Sequence, residues 1–222
     1  MDLILYILAI AVTAWSQFKV TNAYNRYKKI ENGKRITGAQ VARQILDLNG
    51  LGYVKVENVQ GVLKDHYDPS AKVVRLSDDI YYDTSIASIA VAAHECGHAI
   101  QHAENYGFIA MRNSILPITS ISSNLAWPLL MVGLMFSIEP LVYFGIILLT
   151  VVMIFQVITL PIEINASSRA MTILNDQNMI EMDEKNDVKN MLSAAAFTYI
   201  ATVIASALQI LRLLLIANRR RR

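Results

Sequence analysis

The chain has a single cysteine, Cys96, and only four histidines and five prolines in 222 residues. One cysteine excludes an intrachain disulfide. Charged residues make up 17% of the chain, whereas an average soluble domain carries about a quarter. The net charge is +2, and no stretch combines clustered basic residues with aromatic ones. We therefore expect no nucleic-acid partner.

Apolar residues are abundant instead, forming 54% of the chain and gathering in four runs. The runs cover 3–18, 116–137, 141–160 and 192–217. About 20 apolar residues in a helix cross a hydrocarbon core of about 30 Å. The sequence thus predicts a mainly α-helical, multi-pass membrane protein with about four membrane-embedded helices and the lipid bilayer as a partner. The first run lacks a preceding lysine or arginine and a convincing cleavage site, which favours an uncleaved anchor.

These runs divide the chain into five predicted segments. They are an N-terminal anchor (1–18), an α+β catalytic portion (19–115), a transmembrane hairpin (116–160), a helix with a polar linker (161–191), and a membrane helix with a basic tail (192–222).

The catalytic portion is predicted to be a small α+β fold. A helix begins after Thr37 and ends near Gly50, and alternation at 53–57 favours a short strand. Two further strands, 62–67 and 72–76, flank a turn that contains Asp-Pro and form a β-hairpin. This hairpin either offers an edge strand to an extended peptide or serves only as scaffold, and the sequence favours neither alternative.

The most informative motif is the run His-Glu-Cys-Gly-His. Helix positions four apart share a face, so His94 and His98 can reach one Zn²⁺ at about 2.1 Å, with Glu95 beside the open coordination position as a base. The preceding stretch has no proline or glycine and offers Thr84 or Ser85 as a cap. The motif is therefore predicted to lie in mid-helix, a pattern typical of zinc hydrolases.

A catalytic zinc site needs a third protein ligand. His102 lies about 12 Å along the helix from the first motif histidine, too far to share an ion. Glu104 lacks the glycine turn of an extended motif, and Glu139 belongs to a turn between two spans. Glu163 is an isolated carboxylate after Pro161, which is predicted to start a new helix. We expect Glu163 to be the ligand, with a capping glutamate as the alternative.

Several separated stretches carry a family resemblance, namely 61–69, 74–77, 93–101, 159–163 and 195–201. Together they resemble the YugP-type neutral zinc metallopeptidases, a family of bacterial membrane proteases, along nearly the whole chain. More loosely, the arrangement is similar to the HtpX membrane proteases, which are gluzincins. The resemblance implies a gluzincin-like catalytic unit in the bacterial plasma membrane, Zn²⁺ as cofactor, ligands His94, His98 and Glu163, and Glu95 as general base.

One residue departs from the gluzincin pattern. In many gluzincins the fourth residue after the glutamate ligand is an aspartate that orients a zinc-binding histidine, and here it is Ser167. We expect Asn165, Ser167 or a backbone carbonyl to accept the histidine N–H instead.

A further hydrogen-bond donor usually stabilises the oxyanion of the transition state. The available donors are His66, Tyr67, Arg169 and Tyr199. Each also has a structural alternative: the first two can anchor the hairpin, the arginine can snorkel or pair with an acid, and Tyr199 can be an ordinary bundle aromatic.

The predicted function is that of a membrane-integrated zinc endopeptidase acting on a peptide or protein substrate, including a membrane protein. The alternative is a catalytically silent membrane scaffold or chaperone that retains a zinc site. Transport is disfavoured because the apolar runs contain no ionisable residue apart from Arg212. No feature of the sequence bears on oligomeric state.

Charge near the spans bears on orientation. Basic residues crowd the end of the first run, namely Lys19, Arg26, Lys28, Lys29, Lys34 and Arg35. The positive-inside tendency then places the catalytic portion in the cytoplasm. A full crossing by 192–217 would send Arg219–Arg222 outside, against the same tendency. Either the last run does not cross completely, which we favour, or the whole orientation is reversed.

Overall fold

The computed structural model describes residues 2–220, with side chains described for 2–219. Within that range the chain is mainly α-helical, as expected. The helices are α1 (Asp2–Tyr27), α2 (Gly38–Leu48), α3 (Asp78–Tyr81), α4 (Ile86–Ala103), α5 (Gly107–Met135), α6 (Glu139–Asp176) and α7 (Lys185–Arg220). The strands are β1 (Lys55–Val59), β2 (His66–Asp68) and β3 (Val73–Ser77). Residue 1 of the predicted anchor and residues 221 and 222 of the predicted basic tail lie outside the described residues.

The chain divides into two compact units assembled from separated segments. The apolar unit consists of residues 1–17, 107–161 and 197–222. The site unit consists of residues 18–106 and 162–196. Helices α1, α6 and α7 each contribute residues to both units.

Four helices are long and apolar enough to cross a bilayer, namely α1, α5, α6 and α7, matching the four predicted runs. In the apolar unit, the start of α1 meets the end of α7, because Arg219 Nη1 pairs with Asp2 Oδ2 at 2.7 Å. The start of α6 also contacts the end of α7, because Tyr143 Oη donates a hydrogen bond to Asn218 Oδ1 at 3.2 Å. Helix α7 is thus continuous from the site unit to its contact with the start of α6.

Helix α6 is a single helix that contains Pro161 in its interior. The expectation that Pro161 starts a new helix is therefore wrong. A proline has no N–H for the bond to the residue four before it, and a local pattern does not distinguish a first-turn proline from an internal one. Apolar helices tolerate internal proline because neighbouring groups satisfy the freed carbonyl.

The sheet of the site unit has the order β1-β3-β2, with β1 parallel and β2 antiparallel to β3. The predicted hairpin is thus present, but its first strand begins at His66 instead of residue 62. The cause is local: Gly61 and Leu63 have φ values of 116° and 55°, which an extended strand does not allow. Among the described strands only β3 pairs with β2, so one edge of β2 is not paired with another strand.

Caps set the starts of the two helices that form the core of the site unit. Thr37 Oγ1 accepts from Gln40 N at 3.2 Å, and Gln40 Oε1 accepts from Thr37 N at 2.8 Å, so the predicted cap of α2 is confirmed. Ser85 caps α4, which confirms the motif's mid-helix position. Val41 and Ile45 of α2 are fully buried in the core shared with α4, and each such side chain stabilises the fold by roughly 1.5–3 kcal/mol.

Candidate metal centre

The motif glycine allows α4 and α6 to approach closely. A Cβ added at Gly97 would lie 2.7 Å from the backbone oxygen of Ala166, closer than real Cβ atoms come. Because Ala166 lies one turn beyond Glu163 on α6, this contact brings the motif helix against the segment that carries the predicted third ligand. Any larger residue at position 97 would separate the two helices.

His94, His98 and Glu163 bring three potential metal ligands together. The Nε2 atoms of the two histidines are 3.1 Å apart, and Glu163 Oε2 lies 3.4 Å from that of His94 and 3.5 Å from that of His98. Ligands of a tetrahedral zinc ion with bonds of about 2.0–2.1 Å are separated by about 3.3–3.4 Å. The three edges of the triangle therefore fit one such ion.

One atom of this triangle is a buried carboxylate oxygen. Glu163 is only 7% exposed, and its Oε2 is buried without a hydrogen-bond partner among the described residues. Leaving a buried carboxylate oxygen unsatisfied is costly, since charged groups lose strong hydration on burial. Two imidazoles and one carboxylate are ligands that zinc prefers, so this donor set fits the metal.

Gln101 fixes the tautomer of His98. Gln101 Nε2 donates to Ile162 O at 2.8 Å and to Asn165 Oδ1 at 2.9 Å, so its Oε1 must face His98 Nδ1, 3.0 Å away. That oxygen can only accept, which places the proton of neutral His98 on Nδ1. The lone pair of His98 Nε2 then points into the donor triangle, as a metal ligand requires.

The sequence analysis missed Gln101, which is completely buried. Its position offered a signal: it follows His98 by three residues, and side chains three apart on a helix are neighbours. Asn165, named as a candidate partner for a histidine, instead accepts from Gln101 and from Arg169 Nε at 2.8 Å. It therefore supports the histidine indirectly.

Ser167 contacts the other histidine of the motif. Its Oγ lies 3.1 Å from His94 Nδ1, at the position where many gluzincins carry an aspartate. A hydroxyl can both donate and accept a hydrogen bond. Ser167 can therefore accept a hydrogen bond from the Nδ1–H of His94, but it fixes the tautomer with the proton on Nδ1 less strictly than an amide oxygen does.

Glu95 is held beside the triangle by the sheet. It is 9% exposed, and its Oε2 accepts from the backbone N–H of Tyr67 at 3.0 Å, on the free edge of β2. Burial lowers the pKa of His98, but the nearby carboxylates of Glu163 and Glu95 outweigh burial and raise that pKa above its ordinary value. Two carboxylates therefore surround the histidine nitrogens, an environment that favours a cation.

The remaining candidates for contacting a substrate oxygen have other partners. His66 is exposed, with Nδ1 2.7 Å from Lys64 O, and Tyr67 Oη lies 3.2 Å from His102 Nδ1. Arg169 Nη2 pairs with Glu104 Oε2 at 2.6 Å, matching the alternative that it pairs with an acid. This pair also places Glu104 outside the donor triangle.

Tyr199 and Glu139 belong to the apolar unit, whereas the donor triangle belongs to the site unit. Tyr199 is 37% exposed on α7. Glu139 is the first residue of α6, next to the turn that follows α5, as the sequence predicted.

Comparison with known proteins gives the family. A family model described as "Putative neutral zinc metallopeptidase" matches residues 2–218. This chain belongs to that family. It is 46% identical over 212 residues to "Putative membrane protease YugP" of Bacillus subtilis (strain 168), which covers 96% of this chain and 94% of the relative. No solved structure matches the chain. The family predicted from the separated motif stretches is thereby confirmed, and its name implies zinc.

Proposed function

We propose that this protein is a membrane-integrated, zinc-dependent endopeptidase of the gluzincin type. The observation that carries the proposal is the triangle formed by His94 Nε2, His98 Nε2 and Glu163 Oε2, with edges of 3.1, 3.4 and 3.5 Å. Its third atom, Glu163 Oε2, is buried without a hydrogen-bond partner in the described part of the chain, and Glu95 lies beside the triangle. Three protein ligands leave a fourth position for water or substrate, which distinguishes catalytic from structural zinc sites.

The metal, the general base and the residues that position them have separate roles in the proposed reaction. When bound, zinc supplies Lewis acidity, lowering the pKa of a bound water towards about 7 and polarising the scissile carbonyl. Glu95 takes up the proton of the attacking water and returns it to the leaving amine. The Tyr67 N–H holds the Glu95 carboxylate in place. Gln101 and Ser167 orient the two imidazoles.

A backbone N–H on the unpaired edge of β2 positions the carboxylate of Glu95. Only three residues form this strand, and the N–H of the central one already donates to Glu95. Of the two roles considered for the hairpin, this contact favours scaffolding of the base over pairing with an extended peptide.

Replacement of Glu95 by glutamine tests the proposal. The Glu95→Gln variant should keep its zinc and lose hydrolysis of a peptide mixture by about 10²–10⁴-fold, the usual contribution of a general base. Glu57→Gln is the matched control, because Glu57 lies on β1 and its only described partner is Arg75 at 3.5 Å. Unchanged hydrolysis in Glu95→Gln would refute the catalytic role. Absence of hydrolysis from the wild type, together with an unimpaired cellular role of Glu95→Gln, would favour the silent scaffold.

We also propose that the catalytic portion faces the cytoplasm. Basic residues crowd the C-terminal end of α1 and the segment that follows it, whereas the charge of Arg219 is paired with Asp2 at the N-terminal end of α1. Pairing with Asp2 weakens the opposing contribution of Arg219 to the positive-inside tendency, so in this proposal α7 crosses the bilayer completely with its C-terminal end outside. In a Cys96→Ala background, a thiol at Lys34→Cys should resist an impermeant reagent applied to intact cells, and one at Asn218→Cys should react. The opposite labelling pattern would reverse the orientation.

A further inference from the structure

The hydrogen bonds behind His98 continue past Gln101 to a charged side chain at the surface. Asn165 Oδ1 lies 2.9 Å from Gln101 Nε2 and 2.8 Å from Arg169 Nε, so this one oxygen accepts from two donors. Arg169 is partly exposed, and its Nη2 pairs with Glu104 Oε2 at 2.6 Å. These side chains, all in the site unit, form a continuous series from the surface to a metal ligand.

Arg169 determines the direction of these hydrogen bonds. A guanidinium has donors but no acceptor and stays charged, so the Asn165 atom that faces Arg169 Nε must be the oxygen. The same oxygen faces Gln101, whose nearer atom must then be the nitrogen that donates. The other atom of the Gln101 amide, Oε1, is left to accept from His98 Nδ1. A side chain that can only donate thus favours a proton on Nδ1 of the neutral imidazole.

The backbone oxygen of Ile162 also restricts Gln101. A carbonyl can only accept, and its distance of 2.8 Å from Gln101 Nε2 requires a donor there. Gln101 therefore faces two acceptors, one on the backbone and one on Asn165. If the Asn165 amide turned over, its nitrogen would face Gln101 and favour the reversed glutamine. The bond from Arg169 opposes that rotation independently of Gln101.

The direction matters because the carboxylate of Glu163 favours the opposite tautomer. Glu163 Oε2 lies 3.5 Å from His98 Nε2, and its negative charge attracts a proton to that nitrogen. A proton on Nε2 would occupy the lone pair that a metal ligand needs. Gln101 Oε1 stabilises the proton on Nδ1 instead, and Gln101 is completely buried, where hydrogen bonds are stronger than in water. The position of the proton therefore depends on a balance between the two sides of the ring.

We propose that Arg169 is a positioning residue of the zinc site, which orients Asn165 and through it Gln101, so that His98 Nε2 presents its lone pair to the metal. The inference rests on the proposed zinc site. It assigns a role to a side chain whose described partners are Asn165 and Glu104 and not a ligand. Because the Glu104 side chain is 54% exposed, its ion pair with Arg169 contributes little, and the donor at Arg169 Nε is the feature that matters.

The tautomer of His98 in the zinc-free protein tests the inference. Full-length protein with ¹⁵N-labelled histidine is measured by NMR in lipid nanodiscs, at a pH above the pKa of His98 so that its imidazole is neutral. The chain has only four histidines, and the signals of His98 are those lost in His98→Gln. The wild type should carry the proton on Nδ1. Arg169→Met keeps an unbranched side chain without a donor, and its proton should move largely to Nε2. Its zinc affinity, measured by chelator titration, should fall about tenfold, the lower end of the range for partners behind a metal ligand.

Further variants separate the direction of the hydrogen bond from the ion pair. Arg169→Lys keeps a side chain that can only donate and should retain the proton on Nδ1. Glu104→Gln removes the ion pair but leaves Arg169 Nε in place, so it should also retain that tautomer. In the Arg169→Met background, Asn165→Asp should restore the proton to Nδ1, because a carboxylate presents an acceptor to Gln101 whichever way it turns.

Three results would overturn the proposal. The first is a proton on Nε2 in the wild type. The second is a proton that stays on Nδ1 in Arg169→Met, because Ile162 O would then suffice to orient Gln101. The third is a proton displaced as far in Glu104→Gln as in Arg169→Met, which would assign the effect to the ion pair. The tautomer is measured without zinc or substrate, so an absence of hydrolysis would count against the proposed function and not against this inference.

Discussion

The metal centre and the apolar unit both contain buried polar atoms without a hydrogen-bond partner among the described residues, but their surroundings differ. In the metal centre, Glu163 Oε2 lies within 3.5 Å of the Nε2 atoms of His94 and His98. The opposite nitrogen of each ring, Nδ1, contacts Ser167 or Gln101, and these contacts orient the rings. In the apolar unit, Arg212 Nε and Gln156 Oε1 lie on different helices, α7 and α6, and neither has a hydrogen-bond partner among the described residues. Three ligand atoms that converge within bonding distance of one point suit a metal ion. The convergence of such atoms, more than their burial, therefore indicates a metal site.

The largest expected effect on the metal centre comes from its helix contact. Gly97→Ala places a methyl group against a backbone oxygen that no side-chain rotation can move, so α4 and α6 must separate and the triangle must open. Because a displacement of about 1 Å can cost about a hundredfold, zinc affinity and hydrolysis should each fall at least that far. Titration with a chelator and a peptidase assay measure the two effects.

Gly107→Ala is the matched control, since a Cβ there would meet nothing within 4 Å. It should bind zinc and hydrolyse peptide like the wild type. A Gly97→Ala variant that equals Gly107→Ala in zinc affinity would show that the close approach of the two helices does not set the ligand geometry.

Much of the metal centre followed from local sequence. The cap at Ser85 and the lack of helix breakers placed the motif in mid-helix, and spacing alone put His94 and His98 on one face. Glu163 required an additional step, because its proximity to the histidines depends on packing between distant segments. The need for a third ligand, and not periodicity, singled it out.

Other features depend on tertiary packing and could not be derived locally. The helix that continues through Pro161 does so within a packed, apolar setting that overrides the local breaking tendency. The parallel pairing of β1 with β3 joins strands whose patterns contain no information about their partner. The bonds from Gln101 to Ile162 O and Asn165 arise only when α4 and α6 meet.

An intermediate effect is expected from Gln101→Leu. This change removes the acceptor for His98 Nδ1 while approximately preserving side-chain volume, so the imidazole loses its fixed tautomer. Loss of such a partner behind a metal ligand typically costs 10–100-fold, and we expect about that loss in zinc affinity. Gln44→Leu, on the exposed face of α2, is the control. Zinc affinity equal in the two variants would exclude a positioning role for Gln101.

The smallest effect is expected from Ser167→Ala. It removes one neutral hydrogen bond to His94, worth about 1 kcal/mol, or about fivefold in zinc affinity. Water can replace the hydroxyl because this position is only partly buried. The exposed neighbour Ser168→Ala should leave zinc affinity unchanged. A loss for Ser167→Ala larger than that for Gln101→Leu would invert the proposed ranking of the two histidine supports.

Zinc content measured by plasma mass spectrometry tests the central claim most directly. Purified wild-type protein should contain about one zinc ion per chain, and His94→Ala and Glu163→Ala should each contain almost none, because two remaining ligands do not make a stable site. Undiminished zinc in Glu163→Ala would contradict the assignment of this carboxylate as the third ligand.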